Sequence, residues 1–316
     1  METIYHYCLL DTFIQIIKNK TLRLSDLNKT NDYMEKKWGI DFLYHVLCEE
    51  LQNKGIQMNL RETYWYNDNA HTHLEQLEND IKLYLNHQTL ITCFSKEKDM
   101  LSQWRAYGGD GVGIAIGFNY SLLKKLLKKQ NNFLIGNVIY QKDKQEKKIR
   151  EELFEPTFNY MYNMFQQDKV RISDKYNEYF VEEFDCFCEY LDVNIEKVFP
   201  FMKNPAFAEE KEVRIVYNTG IYDEMDESEF CLRICNPINL DSKNKLILQP
   251  MQYIAKNDKL VAYADLKFED CICDGIINEI VIGPKAKVSD EDIYRFLLLN
   301  GYNSNIKISK SRSSYQ

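Results

Sequence analysis

The chain has 316 residues, 45% of them hydrophobic and 28% charged, with a formal net charge of −8 and a pI near 5.3. This is ordinary globular composition with enough apolar material for a sizeable core, and 12 Gly with 6 Pro argue against a loop-rich or disordered chain. The acidic balance disfavours broad nucleic-acid affinity through phosphate contacts, and no apolar run reaches the roughly 18–20 residues of a membrane helix.

The nine cysteines follow a start, Met1-Glu2-Thr3, that carries no signal-peptide pattern, so reduced thiols and a soluble, cytoplasmic protein are expected. The pairs Cys186/Cys188, Cys231/Cys235 and Cys271/Cys273 do not form the matched set a structural zinc site uses, and they read as buried, small apolar residues. The lysines Lys124, Lys125, Lys128 and Lys129 read as the solvated face of a helix.

In chain order, Ile4 to Tyr7 alternates and is aromatic, which predicts a strand. Leu10, Phe13, Ile14, Ile16 and Ile17 predict a helix over 10–18, and Thr21 to Ser25 a second strand. Asn31-Asp32 is turn-prone. Helices are expected from about Tyr33 to Leu51 and from Leu74 to Asn86, and His71 and His73 fall in a polar stretch read as helical. Leu90 to Phe94 predicts a buried strand ending at Ser95, and Met100 to Tyr107 a short helix or turn. Five of the twelve glycines lie within 108–117, which marks a tight turn or a close approach of backbone to ligand. A central strand follows at 112–118.

From Tyr120 to about Val198 the texture is helical, with helices over 121–129, 144–154 and 176–191 and a short strand over 136–140. Strands return at 213–217, 230–233, 246–248, 260–265 and 277–282, then a helix over 290–299 and a strand over 306–309. Strands at both ends with helices between predict a single α+β domain over 1–316, with a helical insertion at about 120–200.

Three segments could carry chemistry. His6, flanked by Tyr5 and Tyr7, could act as acid, base or donor, or be a satisfied strand-edge histidine. Thr92-Cys93-Phe94-Ser95 precedes Leu101-Ser102-Gln103-Trp104-Arg105-Ala106-Tyr107-Gly108. An arginine among aromatics suits a phosphate-bearing aromatic ligand, or it packs on Trp104 alone. On a strand, Glu210, Glu212 and Arg214 would share one face and Val213, Ile215 and Tyr217 the other. The charged face could stabilise a cationic centre or be a surface ion-pair ladder.

In order and wording these segments resemble a bacterial family of domains of unknown function. The resemblance runs through Tyr5-His6-Tyr7, 19–25, Asn31-Asp32 with Glu35, Cys93-Phe94-Ser95, 101–107 and 111–118. It continues through Phe207 with Glu210, Glu212 and Arg214, then Ile280 to Pro284, and 309–315. The chain departs from that pattern at Cys8, where Thr is frequent, and at Tyr33, where Pro is common. The layout is in turn similar to ADP-ribosyltransferases, including the toxin type that modifies DNA. That similarity implies a mostly antiparallel mixed sheet and NAD as substrate, with a role in toxicity or phage defence.

Mapped by order, the resemblance implies His6, Ser95 and Glu212 as site residues, with Glu210 the rival acid. Arg105 would hold the pyrophosphate, and Tyr5, Tyr7, Trp104 or Tyr107 would stack on the nicotinamide. The acceptor would be a macromolecule, protein or nucleic acid, recognised through the helical lobe. Two other classes stay open: a non-catalytic nucleotide- or protein-binding partner in a defence system, and a Mg²⁺-dependent nuclease using Asn31, Asp32, Glu35, Glu210 and Glu212.

Overall fold

The computed structural model describes residues 2–29, 35–53, 63–66, 69–72, 88–128, 132–159, 191, 194–219, 247–256 and 258–315. The chain divides into two compact units, one of Met1–Asn31, Gln88–Val138 and Ala208–Gln316, the other of Asp32–His87 and Ile139–Phe207.

The first unit is an open, mostly antiparallel sheet with helices. β1 (Thr3–Cys8) leads into α1 (Leu10–Asn19), whose buried Phe13, Ile16 and Ile17 form the expected stripe. The helix stops at Lys20, left-handed at φ 56°, and β2 (Thr21–Asp26) follows. β5 (Thr89–Ser95), α3 (Leu101–Ala106), β6 (Ile114–Asn119), α4 (Tyr120–Leu127) and β7 (Phe133–Asn137) come next in this unit. It closes with β8 (Glu212–Asn218), β9 (Gln252–Lys256), β10 (Lys259–Lys267), β11 (Ile277–Ile282), α6 (Asp290–Leu299) and β12 (Lys307–Lys310).

The sheet order is β12-β11-β6-β1-β5-β2-β10-β9, with β8 paired to β5 and β7 to β8. Among the described strands, β11 and β12 pair in parallel and the other pairs are antiparallel. All six residues of β6 are buried. The main core lies on the sheet face carrying Ile4, Phe94, Ile116, Phe118, Val213, Ile215 and Ile280, joined by α1, α4 and α6 through Phe13, Leu123 and Leu297. Residues of the opposite parity build a smaller cluster of Tyr5, Tyr7, Trp104, Ala115 and Val281. It is on this second face that the candidate site forms.

In the second unit, α2 (Glu35–Asn53) packs Ile40, Leu43, Val46 and Leu47 with Ile149, Leu153, Phe154, Ile195 and Phe199. α5 (Lys142–Ile149) runs into a π-helical stretch over Arg150–Phe154. β3 (Thr63–Tyr66) and β4 (Asn69–Thr72) form a separate hairpin, with His71 paired to Tyr64. The expectation of a helical setting for His71 is therefore corrected: Tyr64 and Trp65 provide the aromatic strand partners that a polar count overlooks.

Of the insertion expected over 120–200, α4 and β7 belong to the sheet unit, because β7 is the partner of β8. The expected strand over 136–140 is β7, displaced to Phe133–Asn137. β9 was not foreseen, since all five of its residues are exposed and leave no burial pattern in the sequence. The expected helix over 74–86, all but the last residue of the one expected over 176–191, the strand over 230–233, and His73 lie outside the described residues.

Candidate functional site

β5 is a fork. One of its edges pairs with β8 from Thr89 to Ser95. The other is shared: β2 takes Leu90 and Ile91, while β1 meets it only at Tyr5↔Ser95. Beyond that pair β1 peels away, and His6 fills the opening, with Nδ1 2.9 Å from the Cys93 carbonyl oxygen and its ring edge-on to Phe94. A carbonyl only accepts, so Nδ1 carries the proton and Nε2 of the neutral ring is an acceptor. Although part of His6 reaches solvent, burial of the ring lowers its pKa below 6.5, only partly offset by the Cys93 carbonyl. The ring is neutral at pH 7.

Directly opposed residues in antiparallel strands project to the same face. One row crosses five strands in this way: Glu279, Gly117, Tyr5, Ser95 and Glu212. Tyr5 reaches along the row, and its hydroxyl donates to Glu279 Oε2 at 2.7 Å. Burial pushes the Glu279 carboxyl up, but the Tyr5 hydroxyl and Lys98, 3.2 Å away, outweigh it and hold it below its usual value.

At the other end of the row, Arg214 Nε donates to Glu212 Oε1 at 2.6 Å and Nη2 to Oε2 at 3.0 Å. The two side chains are 1% and 6% exposed, so this is a buried bidentate pair rather than the surface ladder that alternation allowed. Glu210 does not extend that face. It ends a 3-10 turn (Pro205–Glu210), and Lys211, at φ 45°, breaks the alternation before β8 begins. The turn is fastened by Ser95, whose Oγ donates to the Glu210 carbonyl at 2.8 Å and accepts from Glu97 N.

α3 closes the site from above. Tyr7 donates to the Glu97 carbonyl, accepts from Met100 N, and stacks edge-on against Trp104 at 4.7 Å. Trp104 is fully buried, with Nε1 on Asp99 Oδ1 at 2.8 Å. The helix so held delivers Tyr107, whose hydroxyl donates to Glu210 Oε1 at 3.1 Å. Burial first, and then the Glu210 carboxylate, raises the Tyr107 pKa, so the phenol stays protonated.

Tyr5, His6, Tyr7, Cys93, Phe94, Ser95, Gln103, Tyr107, Glu210 and Glu212 line the resulting cleft of about 90 Å³. Of the residues singled out in the sequence, Tyr5, His6, Tyr7, Ser95, Tyr107, Glu210 and Glu212 come together here.

Residues 103–215 match the family model described as Protein of unknown function (DUF2971). No curated protein and no solved structure matched the chain in comparison.

The DUF2971 span opens within α3 and ends in β8, so it contains Gln103, Tyr107, Glu210, Glu212 and Arg214, while His6 and Ser95 lie before it. Trp104 is not on the cleft: its ring is spent beneath Tyr7. Arg105 is not on it either. Its guanidinium lies 4.7 Å over the Tyr315 ring, and it faces a separate open groove of about 730 Å³ with Met100, Leu101, Ser102, Ala106, Glu209 and Lys211. Sequence reading missed Gln103, Cys93 and Phe94 as lining residues. Their neighbours Trp104 and Ser95 drew attention, and a short helix gives no periodicity to say which side is inward.

The glycine cluster resolves as a tight turn. A Cβ on Gly113 would stand 2.2 Å from the Cys8 carbonyl oxygen, and one on Gly283 2.4 Å from that of Gly111, so these glycines let backbone meet backbone.

Asn31, Asp32, Cys186, Cys188, Cys231, Cys235 and the Glu35 side chain lie outside the described residues, while Cys271 is half-buried and Cys273 exposed, which corrects the expectation that this pair is buried. Among the described residues no group of three or more His, Cys, Asp or Glu could hold a metal ion. Lys124, Lys125 and Lys128 are exposed on and just beyond α4, opposite buried Leu123, Leu126 and Leu127. No helix among the described residues is long and apolar enough to cross a membrane.

Proposed function

We propose that the chain is an NAD-dependent ADP-ribosyltransferase-like enzyme whose cleft takes the nicotinamide-ribose end of NAD. The observation that carries this reading is the alignment of Tyr5, Ser95 and Glu212 on one sheet row, with His6 in the opening beside it. His6, Ser95 and Glu212, the residues the resemblance implies, are spread over more than two hundred positions and line a single cleft.

At about 90 Å³ the cleft is smaller than the roughly 300–1,000 Å³ of typical small-molecule sites, so in this proposal it receives only part of the nicotinamide-ribose end and the rest lies in its open mouth. Tyr7 and Tyr107 offer ring surface to a flat heterocycle. In this proposal His6 Nε2 accepts from a ribose hydroxyl. Glu212, locked in one rotamer by Arg214, faces the positive charge that builds on the ribose as the C1′–N bond breaks, and the bond's electron pair leaves with nicotinamide. The acceptor nucleophile supplies a new pair to C1′ and passes its proton to Glu210, the more exposed carboxylate. Ser95 acts through the Glu210 backbone that it fastens.

A second reading, a non-catalytic nucleotide-binding module, draws support from the double hold of Arg214 on Glu212, which leaves that carboxylate partly neutralised. Labelled NAD, a bacterial lysate and the purified chain separate the two. Nicotinamide release and label transfer by the wild type, lost in His6→Ala and Glu210→Gln, support the transferase. Glu212→Gln should also abolish release, but it leaves Arg214 buried without its carboxylate at a cost of about 3–5 kcal/mol. Its melting temperature must therefore be recorded alongside. An NAD-induced thermal shift without release favours the binding module, and the absence of both removes NAD from the picture.

A further inference from the structure

We propose that Tyr107 and Glu210 form a latch across one larger cavity, and that its opening joins the cleft to the groove beside it. The two cavities share their walls, with neighbouring residues turned to different sides. On α3 and just beyond it, Gln103 and Tyr107 line the cleft while Ser102, Arg105 and Ala106 line the groove. In the turn before β8, Glu210 lines the cleft while Glu209 and Lys211 line the groove. The Tyr107 hydroxyl, donating to Glu210 Oε1 at 3.1 Å, bridges the seam between these walls. On one side of the seam lies about 90 Å³, on the other about 730 Å³.

The backbone on both sides of the seam is pinned. Tyr107 N and Gly108 N both donate to the Gln103 carbonyl, at 2.9 and 3.2 Å, and Gly111 N donates to that of Trp104 at 3.2 Å. Trp104 is itself fully buried. On the opposite wall the Glu210 carbonyl accepts from Ser95 Oγ, and the Lys211 carbonyl accepts from Lys96 N at 3.1 Å. The freedom that remains belongs to the two side chains.

Tyr107 is 38% exposed, so a change of its χ1 rotamer swings the ring toward solvent rather than into the core. The hydrogen bond that it gives up is exposed, and water replaces it at small net cost on both the hydroxyl and the carboxylate. The latch is therefore a side-chain gate on a rigid frame. Closed, it screens the row of Tyr5, Ser95 and Glu212 from the groove; open, it admits a ligand too large for the cleft alone. The proposal stands apart from the NAD reading, and its test uses no nucleotide.

The chain carries its own reporters: Cys93 lines the cleft and is half-buried, Cys273 is exposed, and Cys8 is buried in the main core. The full chain is labelled with N-ethylmaleimide at neutral pH, and each cysteine is followed by peptide mass spectrometry. In the wild type Cys93 should react about ten-fold more slowly than Cys273, since access limits a thiol's reaction. Tyr107→Phe keeps the ring and removes the hydrogen bond, and it should speed Cys93 by about three-fold, as the loss of one modest hydrogen bond predicts. Tyr107→Ala should speed it further. Neither substitution changes the charge of the site, so a faster rate reports access, and Cys8 should stay unlabelled over the same time. Wild-type Cys93 as fast as Cys273, or a rate unchanged in Tyr107→Phe, overturns the proposal; in the second case a faster Tyr107→Ala makes the ring a fixed plug and not a latch. Cys8 labelled in step with Cys93 in Tyr107→Phe overturns it as well, because the fold then opens as a whole.

Discussion

At the scale of single residues, partners decide what each side chain can do. His6 was visible in the sequence as a histidine between two tyrosines, but its tautomer follows from the Cys93 carbonyl that it meets across the fork. That contact also sets a pH dependence. The folded-state pKa of His6 is below its unfolded value of about 6.5, so the unfolded chain binds the extra proton more readily. Stability from this group is complete above about pH 6.5 and is lost as pH falls through the lower folded value. Melting temperatures from pH 8 to pH 5 should decline more steeply for wild type than for His6→Gln; parallel curves would exclude His6 as the source. Ser95 and Glu212 were likewise legible as residue types, while the backbone hydrogen bond of one and the guanidinium clamp on the other were not.

Among elements, α3 determines which residues reach the cleft. Six residues make too short a helix to hold a position by their own backbone bonds, so its placement depends on outside anchors. Asp99 is the main one. Its Oδ1 takes hydrogen bonds from Trp104 Nε1 and Ser311 Oγ, and its Oδ2 one from Arg312 N at 2.7 Å. Burial pushes its carboxyl up, but the Ser311 and Trp104 donors prevail and hold it below the usual range. Asp99→Ala should destabilise the fold by about 1–3 kcal/mol, because the buried indole N–H loses its partner. Hydrogen exchange should quicken over 311–315 and across α3. Unchanged exchange in both segments would show that α3 is anchored elsewhere. The sequence suggested a short helix or turn at this place, but the tail residues that fasten it lie some two hundred positions away, beyond any local pattern.

For the whole molecule, the division into two units changes how the chain should be cut. Among the described residues, the apolar core of the sheet unit draws on residues of that unit, and the helical cluster around Leu43 and Phe199 on residues of the other. The breaks in the sheet unit are also short to close: Asp26 pairs with Leu90, and Val138 N donates to the Glu212 carbonyl at 2.9 Å. A chain with 32–87 and 139–207 each replaced by a short flexible linker should therefore retain a cooperative unfolding transition and sheet-type circular dichroism. Removal of 120–200, the span a sequence reading would choose, takes away α4 and β7 and should abolish that transition. A trimmed chain that melts without cooperativity would mean that the sheet unit depends on the other for its fold.

The sequence by itself determined the elements with strong periodicity: β1, α1, β2, β5, β6, β8, β11 and α6 fall within a few residues of where alternation or helical spacing puts them. It also determined most of the cleft's residue types, since chemistry-bearing side chains beside buried strands stand out locally. Only the tertiary structure decided which of them meet. Row-mates such as Glu279, Tyr5, Ser95 and Glu212 are set by strand register, which arises from long-range pairing and leaves no trace in any one segment. For the same reason Trp104 and Arg105, adjacent in sequence and alike in promise, separate, one into the core under Tyr7 and the other into the neighbouring groove.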